Sequence, residues 1–252
     1  MKRKKIAAQL YTVREFCKTP EDIAKTAKKL KEIGFEAVQA SGLGPIEPQE
    51  LKKIFDGEGL ICCATHESGK MIVEETGKVI EKLQILDCKY TAYPYPHIPL
   101  KSYEDALTLA KALDKAGNMM KKAGIILSYH NHAIEFEKFK GKTILDVIYD
   151  ESNPENLQGE IDTYWVQYGG GDPVEWCKKL DGRLPLLHLK EYGIVDNKVT
   201  MLEIGNGNLN WEKIVKAAKK SGTEWFIIEE DTCRIDPFES LKISLEYLIN
   251  EV

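Results

Sequence analysis

No apolar run in the 252 residues approaches the ~20 that a bilayer-spanning helix needs, so no membrane span is expected. The opening Met1-Lys2-Arg3-Lys4-Lys5 is basic. The stretch Ile6 to Leu10 that follows is too short for a secretory signal core and leads straight into Tyr11-Thr12-Val13-Arg14. Positive charge is in deficit: 35 Lys and Arg against 40 Asp and Glu give a net charge of -5. That balance argues against a surface built to grip nucleic acid or an anionic membrane, and leaves a small molecule as the expected partner. Cysteine is sparse and unpatterned. The six (Cys17, Cys62, Cys63, Cys88, Cys177, Cys233) form no Cys-x-x-Cys pair and several lie inside apolar runs. Reduced, buried thiols in a cytoplasmic protein are the simplest expectation. Two phosphate-binding signatures are also missing: no Gly-x-Gly-x-x-Gly follows the first apolar run, and no P-loop lysine is present.

What the chain does have is alternation. Short apolar runs bounded by turn residues take turns with longer amphipathic stretches, the pattern of strand-helix units feeding a parallel sheet. Eight strands are expected: Lys5 to Tyr11, Glu36 to Ala40, Leu60 to Thr65, Tyr90 to Tyr93, Ile125 to His130, Leu157 to Asp162, Leu184 to Lys190 and Trp225 to Glu230. The matching helices are Pro20 to Ile33, Pro48 to Phe55, Met71 to Leu86, Tyr103 to Ala123, Thr143 to Tyr149, Pro173 to Leu180, Trp211 to Lys220 and Pro237 to Ile249. Thr19-Pro20, Asp172-Pro173 and Asp236-Pro237 each pair a capping side chain with a proline at the first helical position. Gly34, Gly124, Gly182 and Gly222 fall where a helix must turn back to a strand. Eight such units in residues 1–252 predict one domain, a (β/α)8 TIM barrel, with its chemistry at the C-terminal strand ends.

All five histidines, His66, His97, His130, His132 and His188, lie at or just past those ends, beside the acidic segments Glu160-Ile161-Asp162 and Ile228-Glu229-Glu230-Asp231. Residues two apart on a strand share a side. One inward layer can therefore hold His130, Asp162, His188 and Glu229, from strands five to eight. Two imidazoles and two carboxylates make a site for one divalent metal ion; the mixture suits Mn, Co, Zn or Fe better than Ca or Mg. His132 shares a side with His130 and is an alternative ligand.

The segments Tyr129-His130-Asn131-His132, Asp162-Thr163-Tyr164-Trp165, His188-Leu189-Lys190-Glu191, Glu203-Ile204-Gly205-Asn206-Gly207 and Ile228-Glu229-Glu230-Asp231 resemble the xylose isomerase-like TIM barrels, the sugar phosphate isomerase/epimerase family. The resemblance covers nearly the whole chain. It implies one metal held by Glu, Asp, His and Glu on strands five to eight. His130 stands where the family has the first glutamate, while Asp162, His188 and Glu229 match. The resemblance also gives the strand-eight glutamate, here Glu229, a role as base, and implies a carbohydrate substrate. Relatives often form dimers or tetramers, so a homo-oligomer is possible.

His132 or Lys190 can supply a proton from the opposite face, His66 can hold a substrate hydroxyl, and Trp165 can wall the pocket. Glu203 precedes a glycine-rich loop that can close over a ligand or be an ordinary turn. The expected reaction is isomerisation or epimerisation of a keto-sugar through an enediolate. With His130 replacing one of the two glutamates that ketose epimerases use, elimination of the inosose dehydratase or 3-keto-glycoside type is the rival. A non-catalytic sugar-binding subunit is a third reading. An endonuclease would need further histidines, and Trp165 and Val195 to Ile204 contain none.

Overall fold

The computed structural model describes residues 1–252. Eight parallel strands close into a barrel in chain order, the first also pairing with the last through Ile6 and Phe226. They span Ile6–Gln9, Ala37–Ala40, Ile61–His66, Tyr90–Tyr93, Ile126–His130, Leu157–Asp162, Leu186–Leu189 and Trp225–Ile228. Four of them are buried at every residue, as parallel strands covered on both faces must be. The outward side chains join the helices in one large apolar core. Inside the barrel a separate small cluster, including Ala7, Ala37, Tyr90, Leu186 and Ile227, forms an apolar floor. Two residues further along, strand parity lifts Gln9, Gln39, His188 and Glu229 into the layer above it.

Local chemistry sets the helix boundaries. Thr19, Asp172 and Asp236 accept backbone N–H groups at their helix starts. The four return glycines have φ between 70° and 115°, a region costly for any residue with a Cβ. Two expectations need correction, and one α-helix is additional. The first strand stops at Gln9, whose side chain accepts the Tyr11 N–H and turns the chain into a 3-10 segment, Leu10–Phe16. The expected helix Met71 to Leu86 is two, Gly69–Glu74 and Thr76–Ile85, because Glu75 leaves helical geometry at φ -128°, ψ 37°. A helix that periodicity did not reveal, Thr163–Tyr168, follows the sixth strand directly. Past the seventh strand, Glu191–Val195 and Lys198–Leu202 form an antiparallel hairpin. No helix is long and apolar enough to cross a membrane.

The loop after that hairpin is fixed from below. Glu191, 1% exposed, accepts four N–H groups: Tyr192 and Leu209 on Oε1, Gly205 and the Trp211 indole on Oε2. A Cβ at Gly207 would lie 2.6 Å from Glu191 Oε1, so that position must be bare. The glycine-rich loop is therefore a pinned turn, not a lid hinge. Glu203 is buried beside it and accepts Asn206 Nδ2 at 3.1 Å.

Candidate active site

His130 ends the fifth strand, Asp162 the sixth, His188 lies in the seventh and Glu229 directly follows the eighth. One donor atom from each lies within 4.8 Å of all the others. His188 Nδ1 is 2.9 Å from Glu229 Oε2 and 4.0 Å from Asp162 Oδ2; His130 Nε2 is 4.0 Å from the same Asp162 oxygen. None of the four is more than 5% exposed. Asp162 divides its carboxylate: Oδ1 accepts the Trp165 N–H at 2.9 Å, capping the helix Thr163–Tyr168, and Oδ2 faces the cluster.

Lys190 lies alongside, fully buried, with Nζ 2.7 Å from Glu229 Oε2 and 3.0 Å from Asp162 Oδ2 and Asp231 Oδ1. Burial opposes its charge, but these three carboxylates hold the ammonium well above its usual range. Burial likewise opposes a charged His188; Glu160 and Glu229 outweigh it and hold His188 at about 10. Burial raises Asp162 to about 6, with Lys190 acting against the rise. Burial, joined by the Lys190 charge, drives His132 down to about 3. Four carboxylates, Glu160, Asp162, Glu229 and Asp231, thus meet two cationic side chains. The excess is negative.

Two features of this centre fit a divalent ion. Buried Asp162 Oδ2 makes no hydrogen bond of good geometry, despite the nearby Lys190 nitrogen. The donor set of two imidazole nitrogens and two carboxylate oxygens, carrying excess negative charge, is one that can hold a divalent metal ion. His132 is outside the four-residue cluster: its ring lies 4.9 Å from that of His130 and lines the cavity above.

That cavity, of about 440 Å³, is walled by Tyr11, His66, Tyr95, His132 and Trp165, with Glu229 and Asp231 at its base. It brings together His66, His130, His132, Trp165 and Glu229 from the expected set. Lys190 is 1% exposed beneath it, and its partners are Glu229, Asp162 and Asp231. Glu203 does not line it. Sequence reasoning missed Glu67, a cavity residue 5% exposed and paired with Lys82 at 2.8 Å.

It also missed the polar layer below. Gln9 Nε2 donates to Gln39 Oε1 at 2.8 Å, and Gln39 Nε2 donates to Glu160 Oε1 at 2.7 Å. His66 Nε2 meets Glu160 Oε2 at 2.5 Å, and His188 Nε2 meets Gln39 Oε1 at 2.6 Å. The available signal was parity, which puts Glu160 on the same side as Asp162.

Known proteins share this fold to different degrees. A sugar phosphate isomerase/epimerase of Parabacteroides distasonis superposes with a TM-score of 0.85 at 23% identity, covering 98% of each chain. A probable 3-DHS dehydratase of Bacillus anthracis superposes at 0.73 and 14% identity, covering 98% of this chain and 100% of that one. In sequence, an inosose dehydratase of Clostridium perfringens is 24% identical over 190 residues, 67% of this chain. The chain spans about 60% of that curated relative's length. Residues 27–251 match the xylose isomerase-like TIM barrel family. With that match spanning almost the entire closed barrel, the chain belongs to the xylose isomerase-like TIM barrel family.

Proposed function

We propose that this protein is a divalent-metal-dependent isomerase or epimerase of a keto-sugar or a related polyol, acting by removal of a proton next to a carbonyl. The observation that carries this reading is the convergence of His130, Asp162, His188 and Glu229 at the base of a cavity with aromatic walls. His130, Asp162, His188 and Glu229 would hold the ion, which when bound supplies stabilisation for the negative charge left on the substrate as the proton departs. Glu229 is the base. Its Oε2 is tied to His188 and Lys190, whereas Oε1 has no protein partner and belongs to a residue at the cavity surface. Lys190 adds fixed positive charge from beneath, and Asp231 keeps it in place. His132, neutral at working pH, accepts a hydrogen bond from a substrate hydroxyl on the other side, and the proton that Glu229 has taken is the one Glu229 returns to the neighbouring carbon. Trp165 and Tyr95 stack on the carbohydrate and exclude water.

Elimination is the second reading, and a specific residue favours it. His130 occupies the strand-five position where paired-glutamate epimerases carry an acid, so the two faces of the substrate meet different groups. Inosose dehydratases among the relatives agree with that reading. Metal content of the purified protein beside His188→Ala and Glu229→Ala tests the centre: about one transition-metal ion per chain is expected, lost in both variants. Incubating the loaded enzyme with keto-sugars and 2-keto-inositol in D2O then separates the reactions, since exchange without mass loss means isomerisation and loss of water means elimination. No metal uptake by folded wild type would refute the mechanism.

A further inference from the structure

Glu160, in a barrel strand, is a fully buried carboxylate that the proposed mechanism leaves without a task. It is 0% exposed, and both of its oxygens face histidines. Oε2 is 2.5 Å from His66 Nε2 and 3.4 Å from His130 Nδ1. Oε1 accepts Gln39 Nε2 at 2.7 Å, and Gln39 in turn offers Oε1 to His188 Nε2 at 2.6 Å. His130 and His188 thus each turn one ring nitrogen down toward Glu160 and the other toward Asp162. His130 Nδ1, buried, makes no hydrogen bond of good geometry, and Glu160 Oε2 faces it from 3.4 Å.

We propose that Glu160 is the positioning residue of the centre: it fixes the inward nitrogen of His66 and, through Gln39, that of His188, and its charge faces the inward nitrogen of His130, so that the outward nitrogens are turned to the metal site and the cavity. An imidazole whose inner N–H is held by a carboxylate presents a lone pair at its other nitrogen, with the ring unable to swing. For His66 the outward atom is Nδ1, a hydrogen-bond acceptor for a substrate hydroxyl. The His130 and His188 part of this proposal rests on the metal reading above; the His66 part does not. His66, His130, Glu160 and His188 also meet the spacing of a metal cluster in their own right. Their atoms are already engaged, however: Gln39 and His66 occupy the two Glu160 oxygens, and Gln39 holds His188 Nε2. An ion there would have to break all three hydrogen bonds.

The test uses full-length wild type, Glu160→Gln and Glu160→Ala. In Glu160→Gln the carboxamide oxygen can keep the Gln39 contact, which turns the amide NH2 toward His66 and demands a lone pair at its Nε2. Long-range 1H–15N spectra of the metal-free proteins should show His66 changing from the Nε2–H to the Nδ1–H tautomer. Co(II) titrated into the same samples and followed by visible absorption should bind roughly 10- to 100-fold more weakly in both variants, with altered d–d bands. Thermal unfolding of each sample confirms that it is folded. An unchanged His66 tautomer, or Co(II) affinity and spectrum at wild-type values in both variants, overturns the proposal. So does uptake of two Co(II) per wild-type chain with one lost in Glu160→Gln. If wild type binds no Co(II), the metal reading fails and the tautomer result alone decides what Glu160 does.

Discussion

Replacing Glu191 with glutamine should cost the fold several kcal/mol although the side chain keeps its shape. Its carboxylate is buried and accepts four donors at 2.5 to 3.1 Å, two on each oxygen. Glutamine keeps the volume but offers one oxygen, so two of the N–H groups from Tyr192, Gly205, Leu209 and Trp211 must face an NH2 group. Each orphaned buried donor costs about 1–3 kcal/mol, and the two surviving bonds lose their charge assistance. Relief from burying a carboxylate offsets part of this, leaving a net loss of about 3–5 kcal/mol. For a chain of this size that lowers the melting temperature by roughly 10 °C. Urea unfolding followed by far-UV circular dichroism measures it directly, provided the slope with denaturant is unchanged. A loss below about 1 kcal/mol would refute the account, and the turn at Gly205 to Gly207 would then be held by something other than this side chain.

Other outcomes follow from the same geometry. Lys190→Met removes the one ammonium among Asp162, Glu229 and Asp231, so the metal-free protein should lose about 3–5 kcal/mol of stability while Mn(II) binds roughly tenfold tighter by calorimetry; weaker binding would show that Lys190 does not compete with the ion. Burial pushes Glu135 up to about 7, although the His132 N–H and Tyr129 hydroxyl favour its charge. The unfolded chain releases this proton near 4.5 and the folded chain only near 7, so Glu135 should cost increasing stability as pH rises across that window, up to about 3 kcal/mol, and level off above it. Urea midpoints at pH 5 and pH 7.5 should fall less in Glu135→Gln than in wild type; parallel falls would exclude the effect. Gly117→Ala should destabilise by about 1–3 kcal/mol although alanine favours a helix, because its Cβ would sit 1.9 Å from the Asn156 carbonyl oxygen. A rise in melting temperature would mean that the backbone there yields.

The barrel was legible because each strand is short, apolar and bounded by turn residues. Tyr90–Tyr93 and Leu157–Asp162, and the helices Pro20–Ile33 and Trp211–Lys220, begin and end where their patterns do. The helix Thr163–Tyr168 was not readable from periodicity: six residues cannot display a period, and its one local signal is Asp162 three positions before Trp165. Strand parity brought His130, Asp162, His188 and Glu229 together on paper, and the fold brings them together in space. What parity does not supply is the partner of each side chain. Parity offers Lys190 both Glu160 and Glu229 as partners, and the fold puts it against Glu229 and leaves Glu160 to the histidines. Gln39 carries no chemistry that a sequence reading flags, because an amide becomes informative only when the groups at its two ends are known.

Asp162 carries a consequence for how this barrel can diverge. One oxygen caps the helix that begins with Thr163, the other faces the centre, and the N–H it caps belongs to Trp165, whose ring walls the cavity. On the proposed metal reading, cation preference and pocket shape are therefore inherited together through a single carboxylate. A lineage that replaced Asp162 to accept a different ion would also release Trp165, and would have to rebuild the wall in the same step. Substrate range in descendants of this chain should drift at Tyr11, Tyr95 and His132, where a change touches the pocket alone.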